Sequence, residues 1–80
     1  MASKRVHLTF GKDLVRQPIL WQTGQEFGLV MNIRRADVQQ DMGWVELEVE
    51  GEPDSIDRAM KSLQHRGVRV DPIEVQAVTG

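Results

Sequence analysis

The sequence predicts an α+β fold in the element order βαββαβ, with two helices on one face of a four-stranded antiparallel sheet. Three observations carry that prediction. Hydrophobic periodicity switches between 2 and about 3.6 along the chain, separating strand segments from helix segments. Both helical segments have apolar stripes too narrow for burial on all sides, so both must cover a sheet. Finally, the outward residues of the third strand are acidic, Glu46, Glu48 and Glu50, while those of its proposed neighbours are basic or polar. Those neighbours are Arg5, His7 and Thr9 on one side, Asn32 and Arg34 on the other. Opposite charges across strands stabilise by about 0.2–1 kcal/mol per pair, which places the acidic strand centrally.

The elements follow in order. Arg5 to Phe10 alternates, with Val6, Leu8 and Phe10 on the inward side; this is a half-buried strand. Gly11 to Gln17 is a loop, and Pro18 suits the first position of a helix because its missing N–H is unpaired there anyway. Leu20, Gly24 and Phe27 share one face, and Gly28 is the left-handed stop. Gly24 costs about 1 kcal/mol against alanine inside the helix, which a close helix–sheet crossing explains. In the second strand Leu29, Met31 and Ile33 share a face, and Ala36 and Val38 fall out of phase with them. One extra residue near Arg34–Arg35 restores the pattern, so a bulge is expected there. Gln39 to Gly43 is a turn, and Trp44 to Glu50 alternates with Val45, Leu47 and Val49 inward.

In the second helix, Asp54 is the expected N-cap and Asp57 complements the dipole. Ile56, Ala59, Met60 and Leu63 form the apolar stripe, with Asp54–Arg58 and Asp57–Lys61 as i,i+4 pairs. His65 and Arg66 suit its end and Gly67 stops it. The last strand, Val68 to Asp71, is cut by Pro72, which argues for an edge. The tail from Gln76 to Gly80 is expected to be loose. Right-handed crossovers leave strand order 4-1-3-2, the ferredoxin-like arrangement.

Eighty residues make a single domain, 1–80, with an ordered core expected over about 4–75. The absence of cysteine excludes disulfides, Cys-ligated zinc and protein-bound iron–sulfur clusters. Ten basic residues against twelve acidic ones, a formal charge of −2, are not the footprint of a nucleic-acid surface. No apolar run reaches the roughly 18 residues of a membrane span, and the start leads into a strand rather than a signal core. The expectation is a soluble, cytoplasmic protein with no cofactor, no nucleic acid and no membrane insertion.

Particular residues also carry a family resemblance. Gln17-Pro18-Ile19-Leu20 opens the first helix, Phe27-Gly28 leads to Asn32-Ile33, and Ala36 follows the arginine pair. Gly43-Trp44-Val45-Glu46-Leu47-Glu48-Val49-Glu50-Gly51 gives turn, strand and glycine; Ile56 to Leu63 and Gly67-Val68-Arg69-Val70 complete the set. This combination resembles the NIL domain, a family of small regulatory modules best known at the C-terminus of methionine-importer ATPases, and runs as far as Val75. The resemblance implies a non-catalytic regulatory module that binds a small ligand such as methionine. Arg34 departs from it, a cation at the signature position where importer-type members have leucine. No ATPase precedes the domain in this sequence and no ferredoxin domain follows it, so the expectation is a separate short protein.

Asn32 is the foremost candidate ligand residue, since an amide can hold both the carboxylate and the ammonium of an amino acid. It could equally hydrogen-bond backbone at a strand irregularity. Ile33 and Arg34 complete the candidate ligand set; Arg34 and Arg35 could grip a carboxylate in bidentate fashion or pair with Glu46 and Glu48. Trp44 is predicted outward and marks a contact surface, with Val30 and Met42 beside it, unless Val30, Met42 or the tail covers it. Trp21 lies off its helix stripe, exposed or packed under the Gly11–Gln17 loop.

His7 and His65 fall on opposite layers, which argues against a metal site or a triad. Acylphosphatases share the topology and use an arginine and an asparagine. Arg16 lies in the corresponding loop here, but their glycine-rich motif is absent. RNA-binding relatives of the fold stack bases on central aromatics, and Trp44 alone among glutamates does not supply that surface. The expected assembly is a homodimer through the second-strand edge, the open sheet face, or both. The alternative function is a protein-interaction module that docks a ferredoxin-domain or transporter partner.

Overall fold

A computed structural model of the chain describes residues 2–14 and 17–73. Its elements are β1 (Ala2–Phe10), α1 (Ile19–Phe27), β2 (Val30–Val38), β3 (Gly43–Gly51), α2 (Pro53–His65) and β4 (Arg69–Pro72). The four strands form one antiparallel sheet in the order β2-β3-β1-β4, as the sequence predicts. Arg16, Val75 and the C-terminal tail, for which the sequence carries expectations, lie outside the described residues.

The central strands obey their period. Val6, Leu8 and Phe10 of β1 and Val45, Leu47 and Val49 of β3 are buried, and the register sets Val6 opposite Leu47 and Leu8 opposite Val45. Over them α2 lays Ile56, Ala59, Met60 and Leu63, all buried, and packs against β1, β3 and β4. Ile19, Leu29 and Val68 close the core at its ends. β4 pairs only with β1, so the proline-bearing strand is an edge, and the backbone N–H of Ile73 just beyond Pro72 resumes pairing with the Arg5 carbonyl at 3.0 Å.

Both helices stop as their glycines require. Gly28 (φ 65°) and Gly67 (φ 95°) sit in the left-handed region, where a Cβ is unfavourable. At each stop the next residue folds back: the Leu29 N–H donates to the Gly24 carbonyl and the Val68 N–H to the Leu63 carbonyl, both at 2.9 Å. Leu29 and Val68 are thereby delivered to the core.

The helix starts differ from the sequence reading. Pro18 occupies the cap position before Ile19 rather than the first helical turn, and the residues that α1 buries are Ile19 and Thr23, with Leu20 and Phe27 half-buried. At α2, Pro53 is already helical and Glu52 takes the cap position without a side-chain cap, so Asp54 acts on the first turn through its charge. Proline fits either side of a helix start, so one residue of ambiguity is inherent. The Asp54–Arg58 pair forms at 3.7 Å; no Asp57–Lys61 ion pair forms among the described residues.

The phase break in β2 is a register shift between Ile33 and Arg35, with Arg34 as the extra residue. Ile33 sits opposite Leu47 and Ala36 opposite Val45, so the bulge returns Ala36 and Val38 to the inner face. Among the described residues no helix is long and apolar enough to cross a membrane.

Candidate functional site

The inner face of β2 is apolar and largely uncovered. α1 is short and packs on α2 and on the start of β2, which leaves the stripe Ile33, Ala36, Val38 without a helix above it. Ile33 is 59% exposed and Val38 63% exposed although both point to the helix side of the sheet. Trp21, 68% exposed, stands beside them on α1. Between helix and strand runs a cleft of about 270 Å³ lined by Phe10, Leu14, Gln17, Pro18, Ile19, Leu20, Trp21, Ile33, Ala36, Val38 and Val45. A second hollow of about 290 Å³ continues it past Gly24, Gln25, Leu29 and Met31, sharing Leu20, Trp21 and Ile33. Among the described residues, no charged side chain lines either part.

The loop before α1 forms one end of this cleft. A turn opens it, from the Leu14 N–H to the Gly11 carbonyl, and the Gln17 N–H donates to the Leu14 carbonyl, each at 3.1 Å. Arg66, at the end of α2, donates through Nη2 to the Oε1 atoms of both Gln17 and Gln22, each at 3.2 Å. One guanidinium therefore ties the end of α2 to the start of α1 and to the loop whose Leu14 and Gln17 line the cleft.

The outer face of the sheet is a ladder of charge. Arg5 and Arg34 converge on the Oε2 atom of Glu48 at 3.6 and 3.5 Å from the two flanking strands. Glu46 faces His7 on one side and Arg35 on the other. Asn32 Nδ2 donates to Glu50 Oε2 over 3.5 Å. The segregation of acid onto β3 thus has the consequence expected of it. Replacing Glu48 by lysine sets a cation between two others; the expected loss is about 1–2 kcal/mol at low ionic strength, shrinking at high salt. Urea denaturation at two salt concentrations measures both, and a salt-independent loss would mean that the ion pairs contribute nothing.

Asn32 and Arg34 lie on the outer face, engaged with Glu50 and Glu48, and Ile33 between them also lines the cleft; all three together line an open outer-face hollow of about 490 Å³ with Arg5, Arg35 and Glu46. Trp44 is outward as predicted but half-buried: the His7 ring tilts against it at a centroid distance of 5.3 Å, a neighbour that strand parity alone does not reveal. Val30, opposite Glu50, and Met42, in the β2–β3 turn, are exposed. His7 lies on the outer face and His65 at the end of α2. Sequence periodicity does not mark the cleft residues Trp21, Leu20, Ala36 and Val38 as a site. Their signal was present, since a helix of nine residues with a narrow stripe cannot roof two strands.

The family model described as the NIL domain matches residues 4–72. A crystal structure of the C-terminal domain of an ABC transporter / ATP-binding protein from Enterococcus faecalis is similar to this chain at a TM-score of 0.80 and 25% sequence identity, covering 91% of this chain and 86% of that one. No curated protein matches the chain.

Proposed function

Because this chain belongs to the NIL domain family, we propose that it is a non-catalytic regulatory module, dimeric and cytoplasmic, that takes a small apolar amino acid such as methionine into the α1–β2 cleft. The observation that carries this reading is the cleft itself: concave, apolar, without a charged side chain among its described lining residues, and bounded by aromatic Trp21 and the exposed Ile33. Such a lining suits an unbranched apolar side chain, with polar contacts confined to Gln17, Gln25 and backbone at the rim. Similarity to the C-terminal domain of a transport ATPase supports regulation of transport as the setting. In this reading Ile33 is the ligand contact of the original candidate set, and Asn32 and Arg34 serve the cross-strand charge ladder.

The test is a thermal-shift screen of amino acids. A ligand at 100 times its dissociation constant adds about 2.7 kcal/mol, a rise on the order of 10 °C for a domain of this size. Ile33→Asp, which puts a carboxylate in the cleft, removes the shift; Asn32→Ala keeps it. A shift lost in Asn32→Ala but kept in Ile33→Asp would move the ligand to the outer face and end the cleft assignment. The second reading is a protein-interaction module docking a transporter or ferredoxin-domain partner, favoured by the 68% exposure of Trp21. It takes first place if no amino acid moves the melting curve.

A further inference from the structure

A regular strand sends consecutive side chains to opposite faces, so two adjacent arginines cannot both face the same way from it. β2 breaks that rule at its bulge. Arg34, the extra residue, reaches Glu48 on the outer face, and Arg35, opposite Glu46 on β3, stands on that face as well. Arg5 comes to the same place from β1, on the far side of Glu48. The three guanidiniums border an open hollow of about 490 Å³, with Asn32, Ile33 and Glu46 completing its wall.

These guanidiniums are held without being satisfied. Arg5 meets Glu48 through Nε at 3.6 Å and Arg34 through Nη1 at 3.5 Å. A well-made guanidinium–carboxylate hydrogen bond runs at about 2.7–2.9 Å and is often two-pronged. Arg35 and Glu46 make no ion pair among the described residues, although they lie opposite each other. Three cations against the carboxylates of Glu46 and Glu48 leave one positive charge in surplus around the hollow. A ligand with one net negative charge neutralises that surplus, whereas a zwitterion leaves it and a dianion exceeds it.

We propose that the β2 bulge builds an outer-face binding site for a small organic acid with a single carboxylate and no ammonium, held by Arg34, Arg35 and Arg5. The carboxylate lies across the adjacent forks of Arg34 and Arg35, and the uncommitted edge of Arg5 closes on it from β1. Glu46 and Glu48 keep the three cations gathered when no ligand is present. The site is separate from the α1–β2 cleft, which lies on the opposite face and has no charged side chain among its described lining residues, although Ile33 borders both. Either site stands without the other.

The experiment is an NMR titration of the full chain, read at the backbone amides and the arginine Nε–H groups, at low and fixed ionic strength. The probes are propionate, alanine and inorganic phosphate above its second ionisation. Alanine is propionate with an ammonium added, and phosphate carries the additional negative charge. Propionate is expected to give saturable shifts at Arg5 and over residues 32–35, with a Kd about fivefold or more below that of either other probe. Arg35→Ala is expected to raise the propionate Kd by about tenfold, and Arg34→Ala likewise. Arg58→Ala, which removes the same charge from the exposed face of α2, leaves it unchanged. The amide spectrum of each variant confirms that it is folded. No saturable shift with propionate, shifts centred on Trp21 and Val38 in the cleft, or an unchanged Kd in Arg35→Ala overturns the site. Equal or tighter binding of alanine or phosphate overturns the charge selection, and with it the ligand class.

Discussion

Leu47→Ala is expected to lower the unfolding free energy by about 2–5 kcal/mol, the range for deleting a buried leucine side chain and leaving its cavity. Leu47 is 1% exposed in the middle of the central strand, between Val6 on β1 and Ile33 on β2. Small domains have a total stability of only about 5–15 kcal/mol, so the variant loses a large part of it. Ile33→Ala is the control. It removes a similar side chain from the same layer of the sheet, but one that is 59% exposed, and is expected to cost less than about 1 kcal/mol. Urea denaturation of both variants measures the contrast. Equal losses would mean that Ile33 is covered in solution, by closure of the cleft or by a second copy.

Gly51→Ala is expected to destabilise by about 1–3 kcal/mol, although alanine restricts the unfolded chain more than glycine does. Gly51 is buried at the end of β3, and a Cβ there runs into Cδ2 of Leu29, with Leu29 Cγ at 3.7 Å and the Gly28 carbonyl oxygen at 3.8 Å. Leu29 cannot turn away freely because its side chain is buried in the core. A double-mutant cycle isolates the collision: with Leu29→Ala already in place, Gly51→Ala should cost nothing or stabilise. Additive losses would assign the effect to something other than Leu29.

The residues that announced their positions did so through parity and charge. Val6, Leu8, Val45, Leu47 and Val49 alternate without interruption, so their burial follows from the sequence directly. The break between Ile33 and Ala36 was equally legible, because two apolar residues out of phase need one intervening residue to share a face. The glutamates of β3 disclose the strand order, since only a central strand has basic neighbours on both sides. What the sequence did not disclose was coverage. Periodicity says which way Ile33 and Val38 point but not whether anything lies above them, since that depends on where α1 crosses the sheet. Asn32 is a versatile hydrogen-bonding group, yet strand parity alone sets it on the opposite side from Ile33. Trp44 was placed outward correctly, and its contact with His7 depends on rotamers that parity does not fix.

The extra residue in β2 makes the number of residues between two anchors a coded quantity in its own right. Ile33 and Ala36 are three apart, an odd count that an unbroken strand would assign to opposite sides and that the bulge assigns to one. Everything downstream inherits that correction, including the side on which Val38, Asp37 and Arg35 emerge. Exchange of Arg34 for another residue preserves the count, and loss of Arg34 together with the bulge would leave Ile33, Ala36 and Val38 on one side of a regular strand; closing the bulge with every residue kept is what would reverse the sidedness, exporting Ala36 and Val38 to water and drawing Asp37 toward the helices. Residue count and bulge are therefore coupled at this point, and strand grafts into this scaffold must keep the two together or remove the two together before they conserve sequence.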